Sequence, residues 1–306
     1  MKLNEFWSTY CEWVEFVKLK YSPPMWVMIS LGSTFLVGGI TFIMSYLLMK
    51  QLTMLPIAFG LATAVFTFGY PYMKKQSIID SIEKNLGDAL KQMADTLKAG
   101  DTYESALREV SESDYGRLSE EMANALRRLE DGETLENSLM VFSKRIDSKI
   151  VKRSVTIILD SIKTGASLAD ILEEISDDVR DFQRLKSERK AETTMQFLFM
   201  LVAGGIIAPA IFGEINAVIG GFGLIGNQTL TEQQLIDANA LNALIVTLIQ
   251  LYIIIEVVGA GIMMSLIRAG NISKSIIYLP LLLLLAFISF YASYFVIFSM
   301  LAGAMV

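Results

Sequence analysis

The sequence predicts an all-α, polytopic membrane protein with five transmembrane helices and a cytoplasmic six-helix bundle built from three helix-turn-helix hairpins. Three observations carry this expectation. The 306 residues are 53% apolar with a mean hydropathy of +0.47, too apolar for an ordinary soluble domain. Long uncharged runs alternate with one charged segment, 74–194, which holds 20 of the 26 basic and 25 of the 32 acidic residues. Inside that segment a turn motif comes three times: LKAGDTYESAL at 97–107, LEDGETLENSL at 129–139 and IKTGASLADIL at 162–172.

Residues 1–25 form the first expected element. Leu3, Phe6, Trp7, Tyr10, Val14 and Val17 recur at helical spacing, which predicts an amphipathic helix at the cytoplasmic interface. Glu5, Glu12, Glu15 and Lys18 break any apolar core of a cleavable signal. Two spans are expected within 26–73, from the uncharged runs 21–49 and 51–73. Each exceeds the roughly 20 apolar residues that a bilayer core requires.

The segment 74–194 is predicted to face water. Leu86, Leu90, Met93 and Leu97 step by four, three and four, a helical period, and no proline lies between Pro71 and Pro209. In each repeat a glycine (Gly100, Gly132, Gly165) follows a helical pattern, and Thr102, Thr134 or Ser167 stands two positions on. The glycine supplies the left-handed backbone that closes a helix. The hydroxyl caps the next helix, a contribution of about 1 kcal/mol. Glu104, Glu136 and Asp170 then sit in first turns, where negative charge suits the helix dipole. Helices are expected at roughly 76–99, 103–113, 117–131, 135–146, 148–164 and 168–194. The last is expected to run on into the membrane span at 195, a rigid link between bundle and bilayer, because nothing from Asp181 to Phe199 breaks a helix. A spacing of 32 and 33 residues also suggests a tetratricopeptide-like solenoid of about 34-residue units. The segment lacks that repeat's tryptophan and its closing prolines.

Three spans are expected within 195–306, from the runs 193–213, 238–267 (interrupted by Glu256 alone) and 275–306, with an external loop at about 214–240. Orientation follows the basic residues near span ends. Lys74, Lys75, Arg184, Lys186, Arg189, Lys190, Arg268 and Lys274 place the amino terminus, 74–194 and 268–275 in the cytoplasm, and the carboxyl terminus outside. Loop 214–240 carries Glu214, Glu232 and Asp237 but no Lys or Arg; Lys50 alone opposes the scheme.

The order NLGDALKQMADTLKAGDTYESAL, LEDGETLENSL, IKTGASLADILEEISDDV, followed by KSERKAETTMQFLF and flanked by spans, resembles the type II secretion system F domain over roughly 74–212. That family comprises the polytopic platform proteins of type IV pili, Tad pili, archaella and type II secretion machines. The resemblance implies a non-enzymatic scaffold in the cell membrane, in the short single-domain form. It implies a hexameric secretion or pilus-assembly ATPase on the cytoplasmic side and pilin-like subunits in the bilayer as partners, and it is compatible with a homodimer. Leu86-Gly87 stands where many members carry Leu-Pro.

Little else in the chain suggests chemistry. No GxxxxGK[ST] phosphate loop occurs, so energy would come from a partner. The glycines of GGFGLIGN precede no basic residue. With no histidine and one cysteine, Cys11, the usual zinc sites, disulfides and His-assisted nucleophiles are absent, and neither metal nor cofactor is expected. Nucleic acid is disfavoured, because 74–194 is net acidic by five.

Three features stand as functional candidates. Arg127, Arg128, Lys144, Arg145, Lys149, Lys152 and Arg153 form a candidate docking face for the ATPase, or simply solvate helices and pair with Glu120, Glu121, Glu130 and Asp147. Glu256, alone in YIIIEVVGAG, is either a packing residue helped by Gly259 and Gly261 or, with Gln250, part of a permeation path in a secondary transporter or channel. Gly204, Gly205 and Pro209 are a candidate hinge, or ordinary close packing, in the third span.

Overall fold

The computed structural model describes residues 3–49, 54–164, 167–226 and 231–304. All regular elements among them are helical: α1 (Leu3–Phe16), α2 (Pro23–Met49), α3 (Leu55–Lys98), α4 (Tyr103–Glu112), α5 (Arg117–Glu130), α6 (Leu135–Arg145), α7 (Lys149–Thr164), α8 (Leu168–Glu192), α9 (Thr194–Val202), a π-helical turn (Ala203–Ile207), α10 (Ala208–Gly226), α11 (Glu232–Ala269), a 3-10 turn (Ile272–Lys274) and α12 (Ser275–Ala304). Among the described residues five helices are long and apolar enough to cross a membrane. The chain divides into two compact units, 1–73 with 192–306, and 74–191.

In the first unit α10 packs along α12, with α11 beside both. Gly213 sets the closeness of the α10–α12 contact: a Cβ there would stand 2.2 Å from both the Phe290 carbonyl oxygen and Ser293 Oγ. Ser289 Oγ donates to the Ile206 carbonyl and Ser293 Oγ to the Ala210 carbonyl, each at 2.8 Å. Ile253, Val257, Phe287 and Phe290 form the buried centre of this unit. On α1, Tyr10 and Val14 are buried, and the Trp13 ring meets that of Tyr72 of α3 at a tilt of 55°.

The sequence predicts a span ending at 73 and a new helix near 76, yet α3 is a single helix of 44 residues with Pro71 inside it. A proline removes the donor that the carbonyl four residues back would receive. Here the orphaned carbonyl is that of Thr67, and the Trp26 indole N–H donates to it at 3.2 Å. With the loss made good from a neighbouring helix, α3 continues, and Leu86-Gly87 falls in its interior. The segment expected as an external loop, 214–240, is helical through Gly226 and again from Glu232. Apolar residues such as Ile215, Val218 and Ile219 extend the first of these helices, and a reciprocal Thr231–Gln234 capping box starts the second. Lys50, Gly165 and Asn227, the last residue of GGFGLIGN, lie outside the described residues.

Within 74–191, α4 packs on α5, α5 on α6 and α6 on α7, each pair joined by a short connection. Ala106, Leu107 and Val110 of α4, Leu118, Met122 and Leu126 of α5, and Val151, Val155 and Ile158 of α7 enter one core with Ile82, Leu86 and Leu90 of α3 and Leu172, Ile175 and Val179 of α8. The steps of three and four put these residues on one face of each helix. Gly100 and Gly132 take φ +93° and +92°. Around each, paired backbone bonds (Gly100 N to Leu97 O and Asp101 N to Thr96 O; Gly132 N to Leu129 O and Glu133 N to Arg128 O) close the preceding helix. Thr102 and Thr134 then accept from the amides of Ser105 and Asn137, at 3.2 and 3.3 Å. Ser167 directly precedes α8, and a further left-handed glycine, Gly116, stands before α5.

Candidate functional site

The seven basic candidates lie on α5, α6 and α7 of the helical unit, and they fall into two sets. Arg128 binds Glu133 at 3.1 Å, Arg145 approaches the buried Glu121 at 3.6 Å, and Lys152 binds Asp147 at 3.2 Å. Arg127, Lys144, Lys149 and Arg153 are exposed, and among the described residues no carboxylate lies within ion-pair distance of them. Arg127 is held instead by the Asn124 side chain at 2.6 Å. Lys149 and Arg153 are four apart on α7 and share a face. Four cations without internal counter-charge leave net positive potential on these helices, available to an acidic surface.

Glu121, only 2% exposed, anchors this region: Arg117 of α5 and Arg145 of α6 both reach its carboxylate. Such a buried carboxylate depends on its cations, because removing one partner leaves a desolvated charge.

A second buried carboxylate ties the connection between α6 and α7 to the longer helices. Glu83 of α3 accepts from Ser148 Oγ at 2.8 Å through one oxygen and from Lys186 Nζ of α8 at 3.0 Å through the other. Burial pulls the Lys186 ammonium down, but Glu83 and Asp80 outweigh it and hold the group above its ordinary range. Lys75 of α3 approaches Asp147 at 3.6 Å. Burial raises the Asp147 carboxyl, yet the Lys152 hydrogen bond and the Lys75 charge leave it below the usual carboxylate range. Residues 147–148, between basic positions 145 and 149, are thereby fastened to both α3 and α8.

The contact between α3 and α8 is set by Gly87 and Ser176. Ser176 is fully buried and donates to the Gly87 carbonyl at 2.8 Å. A Cβ on Gly87 would lie 2.9 Å from Arg180 Cγ and 3.3 Å from the Ser176 carbonyl oxygen. Arg180 donates twice to Asp88 beside this crossing, and Lys91 and Lys98 both bind Glu173. Hydrogen bonds from those two lysines push the Glu173 carboxyl down to about 2. Sequence reasoning noted Gly87 only as standing where many members carry proline, and did not single out Ser176, Glu83 or Ser148; the available signal was a lone glycine inside a helical apolar pattern.

In the other unit, Gln250 and Glu256 have different surroundings. Gln250 is buried; its Oε1 accepts from the Met54 amide at 3.2 Å and its Nε2 donates to Tyr291 Oη at 3.1 Å. It thus satisfies a donor at the start of α3 and ties three helices together. Glu256 is half-buried, and its Oε2 has no hydrogen-bond partner among the described residues. A Cβ on Gly261 would meet the Leu279 side chain of α12 at 2.9 Å, whereas Gly259 faces open space. Gly204 and Gly205 lie within the π-helical turn, opposite Ala260 and Leu282, and Pro209 follows directly in α10.

Comparison with known proteins agrees with the resemblance read from the repeated turns. Residues 89–213 match the family model of the type II secretion system (T2SS), protein F. An uncharacterized protein of Methanocaldococcus jannaschii is 26% identical over 153 residues, 50% of this chain, and the match spans 50% of that relative's length. No solved structure matches.

Proposed function

We propose that this chain, whose residues 89–213 match the type II secretion F family model, is a non-enzymatic platform protein of the cell membrane for a pilus-like or type II-like assembly machine. In this reading 74–191 faces the cytoplasm and receives a secretion ATPase, while the membrane helices handle pilin-like subunits. The observation that carries it is the set Arg127, Lys144, Lys149 and Arg153, without internal counter-charge, beside a connection that Glu83 fastens to α3 and α8. An acidic partner on this face would act directly on the two helices whose sequences run on into apolar spans.

Aromatic residues support the positions of the span ends. Trp26 with Tyr70, Trp13 with Tyr72, and Arg268 over Phe197, itself against Tyr278, cluster at span ends next to residues 74 and 194 and the 268–275 connection. Aromatic belts of this kind mark a membrane–water boundary. The transporter reading is not favoured, since Gln250 is engaged on both sides in packing.

The test is to purify the tagged full chain gently from its native membranes and identify by mass spectrometry what accompanies it. A hexameric ATPase and pilin-like proteins are expected with the wild type. Arg127→Glu with Arg153→Glu should lose the ATPase alone, and Arg128→Ala, whose side chain is already paired, should keep it. Absence of both partners from an intact preparation would overturn the reading.

A further inference from the structure

Arg268 stands in the last turn of α11, where one apolar span, 236–268, ends shortly before the next, 272–301, begins. It is half-buried, and among the described residues its guanidinium meets no carboxylate within ion-pair distance and no hydrogen-bond acceptor. It lies instead over the Phe197 ring of α9, with Cζ 4.4 Å from the centroid. Phe197 is held edge-on against Tyr278 of α12, 5.5 Å between centroids. Three helices thus seat the cation on an aromatic platform that supplies no oxygen. The connection that follows uses its acceptors internally: the Leu266 carbonyl receives the Gly270 amide, the Asn271 carbonyl receives Ser265 Oγ, and the Asn271 side chain receives the Ser273 amide. No Asp or Glu occurs anywhere in 257–306. Other cations near span ends differ. Lys75 approaches Asp147, Lys186 binds Glu83 and Asp80, and Arg189, Lys190 and Lys274 have interactions of their own.

We infer that Arg268, seated on Phe197, binds the phosphate of an anionic membrane lipid, with Lys274 on the same connection adding positive charge. An arginine stays charged and carries its N–H donors in a planar fork, and leaving such donors half-buried without acceptors is costly. The depth at which a span ends is rich in one acceptor, lipid phosphate, and basic pockets between helices at that depth suit anionic head groups. The fork pairs with two phosphate oxygens at once, a geometry that lysine does not reproduce. A free phosphate ion offers the same oxygens but is not concentrated at this boundary, so the lipid is the occupant. The site depends on the span ends and not on which machine the chain serves.

The experiment takes the purified full chain in a mild neutral detergent and follows native mass spectra and thermal unfolding during titration with phosphatidylglycerol, phosphatidylcholine or inorganic phosphate. The first phosphatidylglycerol should bind more tightly than phosphatidylcholine and raise the unfolding midpoint, and inorganic phosphate at the same concentrations should not raise it. Arg268→Gln should weaken that first lipid roughly ten-fold or more. Arg268→Lys keeps the charge without the fork, and Phe197→Leu keeps the arginine without the ring; both should bind at intermediate strength, and they carry the test if Arg268→Gln does not fold. Arg184→Gln, which removes an exposed cation paired with Glu188, should bind as the wild type does. Equal affinity for the two lipids, an equal response to inorganic phosphate, undiminished binding by Arg268→Gln, or equal weakening by Arg184→Gln would each overturn the inference.

Discussion

Replacing Gly87 by valine perturbs the α3–α8 contact at its closest point. The valine Cβ would begin 2.9 Å from Arg180 Cγ and 3.3 Å from the Ser176 carbonyl oxygen, and that oxygen belongs to a helix backbone that cannot swing aside. Overpacking of this kind costs about 1–3 kcal/mol. Separating the helices also stretches the buried Ser176–Gly87 hydrogen bond, worth about 1 kcal/mol. Valine regains only a few tenths of a kcal/mol in helix propensity over glycine. The net expectation for Gly87→Val is a loss of roughly 2–4 kcal/mol in the 74–191 unit. Hydrogen exchange of the full chain in detergent, read by mass spectrometry, measures this locally. Amides of α3 between 82 and 94 and of α8 between 172 and 180 should exchange about 30-fold to 1000-fold faster if they open with the unit. Unchanged protection in both segments would refute the argument that Gly87 exists to let the helices touch.

Gly132→Val should cost about 1 kcal/mol, because only the left-handed backbone opposes it and the space around it is open; an unchanged unfolding midpoint would count against the turn assignment. Glu173, whose carboxyl is held at about 2 in the fold, contributes stability above the ordinary glutamate range that is lost as pH falls through about 2. Acid titration followed by circular dichroism should therefore show Glu173→Gln losing part of the acid sensitivity of the wild type. Trp26→Phe strands the Thr67 carbonyl and should destabilise by about 1–3 kcal/mol. Pro71→Ala restores the missing helical donor, so the double variant should be more stable than the sum of the single effects; strict additivity in thermal unfolding would dismiss the compensation.

What could be read from sequence was chemistry that is local or one-dimensional. A glycine behind a helical run and a threonine two residues later specify a turn wherever they occur, and 100–102 and 132–134 have that backbone. The uncharged runs likewise needed no partner to be recognised, and the five apolar helices correspond to them. What escaped depends on residues distant in the chain. The unbroken run of α3 past Pro71 into the charged segment escaped, because the donor that makes good the proline lies 45 positions earlier, at Trp26. Gly87 was visible only as a departure from Leu-Pro, because its reason is the close approach of Arg180 and the Ser176 carbonyl from α8. The seven clustered cations looked equivalent, and only folding separates those that meet Glu133, Glu121 and Asp147 from the four that meet none.

The π-helical turn at 203–207 can also be counted as a spare residue. Ala208 N–H bonds to the carbonyl of Ala203, five positions back rather than four, so this turn stores one residue more than an α-helix of the same rise. Deleting a residue inside 203–207 would convert the turn to regular helix and leave the downstream face where it was. Deleting one from the middle of α10 would rotate everything beyond it by about 100°. The same edit, a few positions apart, is thus absorbed in one place and turns the rest of the helix away from α12 in the other. Length variation in this helix has one natural home, and it sits opposite Ala260 and Leu282.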